Sequence, residues 1–222
     1  MSSPSTISGE GACKLTTAHS NRQQGTSLIV VMLMLIVVLS LGISVAQLTL
    51  QGEKISRNDR DRQVAFQSAE AGLMDAERDI EHSPDPAKSR SQLFSPNSAL
   101  GFVDGCGNSD ANLGLCLLNE ASPAWQTVDF MDQTNNARSV PYGRYTGQIL
   151  QTGSDSPSGH TSKGSLPGRL PRYIIELMGD SRPGASASLE ERAVIYRVTA
   201  IGFGMRDSTQ VVLQTIYKKE GQ

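Results

Sequence analysis

The sequence is short of the residues from which most active sites and nucleic-acid surfaces are built. Its three histidines, His19, His82 and His160, are scattered and have no companion at metal-ligand spacing. Aromatics make up 5% of the 222 residues and the formal net charge is −2. The basic stripe with interleaved aromatics that a nucleic-acid partner needs is therefore missing. No G-x-S-x-G, H-E-x-x-H or cysteine–histidine arrangement occurs. The stretch Gly159 to Ser165 (GHTSKGS) has the ingredients of a phosphate loop. Its lysine precedes the second glycine and no strand–helix context surrounds it, so it reads as a plain Gly/Ser loop. Charges such as Glu190, Glu191 and Arg192 read as a solvated face. No enzyme, cofactor, metal centre or nucleic-acid partner is expected.

Charge is also missing from one long stretch, and that absence is informative. From Gln23 to Gly52 there is no charged residue, and Leu28 to Leu39 reads LIVVMLMLIVVL. Thr26 to Ala46 covers about 20 residues, the length needed to cross ~30 Å of hydrocarbon. A core helix of a domain this size would not be apolar on every face. Three fates are open to such a segment. A cleaved secretory signal would use Ser44-Val45-Ala46 as its small-x-small site, but its n-region has only Lys14 and Arg22 against Glu10. A plain signal anchor would stay uncut. A pilin-type leader would be cut on the cytoplasmic side, just before the helix, where Arg22-Gln23-Gln24-Gly25 supplies a basic residue and an abutting glycine. Charge asymmetry decides little, because Lys54, Arg57, Arg60 and Arg62 crowd the other end.

Beyond Gly52 the pattern changes from apolar to amphipathic. Phe66, Ala69, Leu73, Ala76 and Ile80 recur at steps of 3, 4, 3 and 4, one stripe of a helix. Glu70, Asp75, Glu77, Arg78 and Glu81 fall on the opposite face, and Ser83-Pro84 supplies the stop. One helix from Thr26 to Glu81 would be about 84 Å long; two helices joined near Gly52 are the alternative.

The string Asn58 to Glu77 (NDRDRQVAFQSAEAGLMDAE) resembles the N-terminal signature of PilX-type minor pilins. The resemblance covers roughly Gly25 to Glu81 and reaches more weakly into the C-terminal strands. It implies an α+β, type IV pilin-like fold: a long transmembrane and amphipathic spine helix packed on a C-terminal antiparallel sheet of about four strands. It divides the chain into a cleaved leader (1–25), a transmembrane helix (26–46), a spine helix (47–82), a variable region (83–140) and an antiparallel β domain (141–222). Processing would fall between Gly25 and Thr26. Leu28, Val30, Leu33, Ile36, Val37 and Leu41 would face lipid or a helix bundle, and Phe66, Ala69, Leu73, Ala76 and Ile80 would pack the spine on the sheet. The implied role is promoting the start of type IV pilus assembly from the bacterial inner membrane, with a periplasmic domain and a place at the pilus tip. The implied partners are other minor pilins, the major pilin, the inner-membrane assembly platform, the prepilin peptidase and a tip adhesin. Two positions depart from major pilins: Thr26 replaces the usual phenylalanine and Val30 the usual glutamate. A minor pseudopilin of type II secretion, or a periplasmic scaffold or binding protein with an ordinary signal anchor, remain alternatives.

Three cysteines complete the reading. Cys13 precedes the apolar block, whereas Cys106 and Cys116 follow it as a C-x9-C pair. If the membrane separates them, the far side holds an even pair in an oxidising space and a disulfide is expected, with two unpaired core thiols as the alternative. Inside that loop Asn108, Asp110 and Asn112 share the spacing of the first EF-hand ligands, but the glycine comes one place late and Asn119 stands at the twelfth position. A polar loop tip is expected there. Trp125 reads as a domain anchor. Strands are expected at Arg144 to Leu150, Arg172 to Leu177, Ala193 to Ile201 and Gln210 to Tyr217, joined as an antiparallel meander.

Overall fold

Helix α1 runs from Thr26 to Glu81 in the computed structural model, which describes residues 25–95, 98–153, 166–179 and 194–219. Cys13, His19, the stretch Gly159 to Ser165 with His160, and Glu190 to Arg192 lie outside the described residues. No proline interrupts α1, and it passes through Gly42, Gly52 and Gly72 before stopping ahead of Ser83-Pro84. The chain forms two compact units, Met1–Gly52 and Glu53–Gln222. In the first, the described residues 26–47 are helical and exposed on every face.

The second unit packs the remainder of α1 on a mixed sheet. Its strands are β1 (Leu115–Leu117), β2 (Val140–Pro141), β3 (Arg172–Gly179), β4 (Val194–Phe203) and β5 (Gln210–Tyr217). The order is β1-β3-β4-β5, with β2 on the same edge of β3 as β1. β3, β4 and β5 form the expected antiparallel meander, Tyr173 facing Ala200 and Ala200 facing Leu213. β1 runs parallel to β3, opposite Ile175 to Leu177. Two layers cover the sheet. Tyr173, Ile175, Tyr196, Val198 and Ala200 meet Ala76 and Ile80 of α1, together with Phe94 and Phe102. On the other side Ile174, Ile201 and Phe203 are covered by Cys106, Cys116, Val128 and Phe130, and by Ala124 of the short helix α2 (Ala124–Thr127). β4 is thus buried on both faces, which explains its nearly unbroken apolar sequence.

Three expectations need correction here. Arg144 to Leu150 is not a strand: Tyr142 to Thr146 form a turn, with Gly143 and Gly147 at φ of +76° and +67°. Its β-branched and aromatic residues suggested a strand, but the turn is fixed by a carboxylate on α1 that no local pattern reveals. Phe66 leaves the packing stripe and is 44% exposed. The buried line is instead Ala65, Ala69, Gly72 and Ala76. These small residues bring the helix so close to β4 that a Cβ on Gly202 would fall on the backbone of Ala65 and Ala69, and a phenyl ring has no room beneath. Trp125 is no anchor either, being 37% exposed on α2 while Ala124 beside it is buried.

Candidate functional site

The residues expected to carry function divide between the two units. Gly25 lies in a turn and Thr26 opens α1 directly behind it. Leu28, Val30, Leu33, Ile36, Val37 and Leu41 are all exposed. α1 is long and apolar enough to cross a membrane. Exposing a large aliphatic side chain to water forgoes about 1.5–3 kcal/mol relative to burying it, so this row of side chains is a surface built for an apolar medium or for other helices.

In the second unit Ala69, Ala76 and Ile80 are fully buried, and Leu73 packs half-buried against the same core. The same helix face also carries Asp61, Ser68, Asp75 and Asp79, all buried. Spacings of 7, 7 and 4 keep them in phase with the small-residue line. Hydropathy had placed Asp75 on the solvent face, and the structure reverses that. Each aspartate grips a different part of the chain. Asp61 Oδ1 accepts from the Met205 N–H at 2.6 Å and Oδ2 from the Thr209 hydroxyl at 2.6 Å, closing the β4–β5 hairpin onto the helix. Asp75 accepts from the Gly143 N–H at 2.8 Å and from the Thr146 hydroxyl, which fixes the turn after β2.

Asp79 anchors the third grip. Arg90 donates to it through Nε at 3.1 Å and Nη2 at 2.6 Å, and the Tyr173 hydroxyl adds a bond of 2.9 Å. Arg90 also stacks over Tyr145, 3.6 Å from the ring centroid, and donates from Nη1 to the Leu113 carbonyl at 2.6 Å. One guanidinium therefore joins spine, turn and cysteine loop. Burial pushes the Asp75 carboxyl above its ordinary pKa, against the pull of its two hydrogen bonds. Burial works to lower the Arg90 guanidinium, but the Asp79 charge and hydrogen bonds outweigh it and leave the pKa raised. Tyr173, buried beside Asp79, is held well above the usual phenol value, and burial lifts Tyr196 to about 12. A second pair joins β3 and β4, where the half-buried Arg197 donates to the buried Glu176 at 2.8 and 2.9 Å and the Ala124 N–H adds 3.1 Å.

Cys106 and Cys116 form a disulfide. Its loop is pinned from outside by Arg90, by the Tyr145 hydroxyl on the Asp110 carbonyl at 2.6 Å, and by Arg138 on the Gly105 carbonyl at 3.0 Å. The Asp110 carboxylate faces Arg144 at 2.5 Å, and Asn112 Oδ1 accepts from Ser109. Two of the three EF-hand-like side chains, Asp110 and Asn112, are therefore engaged within the chain. Among the described residues no cluster of three or more His, Cys, Asp or Glu could hold a metal ion. A cleft of about 510 Å³ between Phe130, Arg169, Arg172 and Phe203 has no His, Cys, Asp or Glu in its lining.

The sequence-level reading missed the aspartates because hydropathy scores them as outward. The recurrence of Ala65, Ala69, Gly72 and Ala76 at steps of 4, 3 and 4 was the signal that could have set the phase correctly.

Two family models match the chain. Residues 24–73 match the one described as PilX N-terminal, and residues 84–219 the one described as Type IV pilus assembly protein PilX C-term. No curated protein and no solved structure matches it.

Proposed function

The chain belongs to the PilX family of type IV pilus assembly proteins, and from that premise we propose that it is a minor pilin that starts assembly while held in the inner membrane. The observation that carries this reading is the first part of α1, helical from Thr26 and exposed on every face through residue 47. A helix of this kind satisfies its own backbone and offers uncharged, mostly apolar side chains, with the Ser40 and Ser44 hydroxyls turned onto its own carbonyls, which suits lipid before assembly and a helix bundle afterwards. Cutting after Gly25 by a prepilin peptidase would leave Thr26 as the first residue.

Val30 gives the role its direction. A carboxylate in an apolar bundle is tolerated only when paired, for instance with a neighbour's terminal amine. Valine brings no such requirement and no such attraction. This suits a subunit at the head of the filament, in contact with other minor pilins, the major pilin and the assembly platform. The disulfide favours a periplasmic second unit, since such bonds persist in oxidising compartments. The loop-rich surface around it is the part suited to a tip adhesin.

Deleting the coding region and counting surface pili tests this reading. Pili should fall sharply and return with the full-length chain; a normal count in the deletion strain would overturn it. The N-terminus of the mature protein separates the three fates of the apolar segment. A start at Thr26 means a processed pilin, a start at Gln47 a secreted protein, and an intact N-terminus an anchor.

A further inference from the structure

The two edges of the sheet are finished differently. On one side β3 is closed, by β2 at Arg172 and Tyr173 and by β1 from Ile175 to Leu177. On the other, β5 pairs with β4 alone among the described residues. The Gly204 N–H donates to the Thr209 carbonyl at 2.8 Å across the hairpin. From that bond the antiparallel alternation turns the main-chain groups of Val211, Leu213, Thr215 and Tyr217 toward β4. Those of Gln210, Val212, Gln214 and Ile216 point away from the sheet.

Among the described residues, nothing that usually guards an edge strand lies within β5 or against its outer edge. β5 (QVVLQTIY) has no charge and no proline, and its register with β4 runs one-to-one from Gln210 to Tyr217 without a bulge. Its side chains are incompletely covered on both faces. They alternate between exposed and half-buried, none is fully buried, and Val212 and Ile216 are 50% and 66% exposed. β4 beside it is buried from Val198 to Phe203. A strand with open main-chain groups and half-finished packing on both faces is complementary to another strand.

We propose that the outer edge of β5 is a docking strip for an extended strand donated by a different subunit of the pilus assembly; this rests on reading the chain as a pilus subunit. The incoming strand is uncharged and β-branched over roughly six to eight residues, with an acidic residue beside Lys218. That lysine is exposed and has no ion-pair partner among the described residues, while Lys219 donates to the Ser91 carbonyl at 2.9 Å. A second copy of this chain fits less well. Antiparallel pairing of two β5 strands near their centres sets Lys218 against Arg206, Ser208 or Gln210, never directly opposite a carboxylate.

The test places a photo-crosslinking phenylalanine analogue at Gln214 of the full-length chain in piliated cells and identifies the adduct by mass spectrometry. An adduct with another pilus subunit is expected, falling at least tenfold when Val212→Pro is added. That proline removes only an outward N–H and leaves the β4 ladder intact. Val212→Lys, which changes no backbone group, should reduce the adduct in the same way. An adduct with a second copy alone, no adduct, or an adduct indifferent to both substitutions overturns the proposal. Its failure is distinguishable from failure of the functional reading. Pili lost on deletion without an adduct would remove the docking strip alone. A normal pilus count with an intact adduct would remove the assembly role alone.

Discussion

Asp79 and Arg90 show how much one side-chain pair can carry. Both are nearly inaccessible, with side-chain exposures of 0% and 6%. Removing one partner leaves a buried charge unanswered, at a cost of about 3–5 kcal/mol. Arg90→Met should therefore lower the urea midpoint of the detergent-solubilised chain by a corresponding amount, and the double variant Asp79→Leu/Arg90→Met should recover most of the loss. If the double variant is no more stable than the single one, packing by the arginine stem matters more than its charge. Asp75 behaves in the opposite sense. Burial holds its folded pKa above the ordinary carboxylate value, so the folded state retains a proton that the unfolded state has released. Its contribution to stability is greatest below the ordinary value and declines as pH rises through the folded one. Against Asp75→Asn, the wild-type advantage should shrink from pH 4 upward and then level off; an advantage that grows with pH would contradict the burial argument.

The helix and the sheet meet through small residues. Ala65, Ala69 and Gly72 of α1 face Ala200 and Gly202 of β4 at near-backbone contact, and a Cβ on Gly202 would meet backbone and not a side chain able to move aside. Gly202→Ala should accordingly destabilise the second unit by about 3 kcal/mol, at the upper end of overpacking effects. Gly52→Ala is the matching control, because nothing lies within 4 Å of a Cβ there. It should be neutral or raise helix stability by about 1 kcal/mol. Circular dichroism melts of the two variants would show whether the close approach, and not glycine as such, sets the cost. Three strands were legible from their residue pattern, because β3, β4 and β5 are regular segments of eight to ten residues, and α1 from its uncharged run and the amphipathic stripe after it, with a break near Gly52 left open. β1 and β2 were not, since strands of three and two residues carry no period.

For the whole molecule, the proposed role requires the apolar helix to be released at its N-terminal end. Replacing Gly25 should leave an uncut, membrane-retained precursor, checked by the mass and N-terminal sequence of the mature chain. The same mature N-terminus in that variant would sink the processing step. The three aspartate grips and the disulfide loop all lie in the second unit, so this substitution should leave that unit's thermal unfolding unchanged.

The sequence by itself determined the membrane-compatible helix, the family and the three long strands. Each rests on a property that a run of residues has wherever it sits: absence of charge, a string of side chains, an alternation of period two. Only the tertiary structure decided which face of the spine is buried, that Asp61, Asp75 and Asp79 point inward, and that Arg144 to Leu150 turns where a strand was expected. Those outcomes depend on partners 68 residues away for Gly143 and Asp75 and 144 residues away for Met205 and Asp61. A carboxylate's preference for water is overridden only where distant donors converge on it.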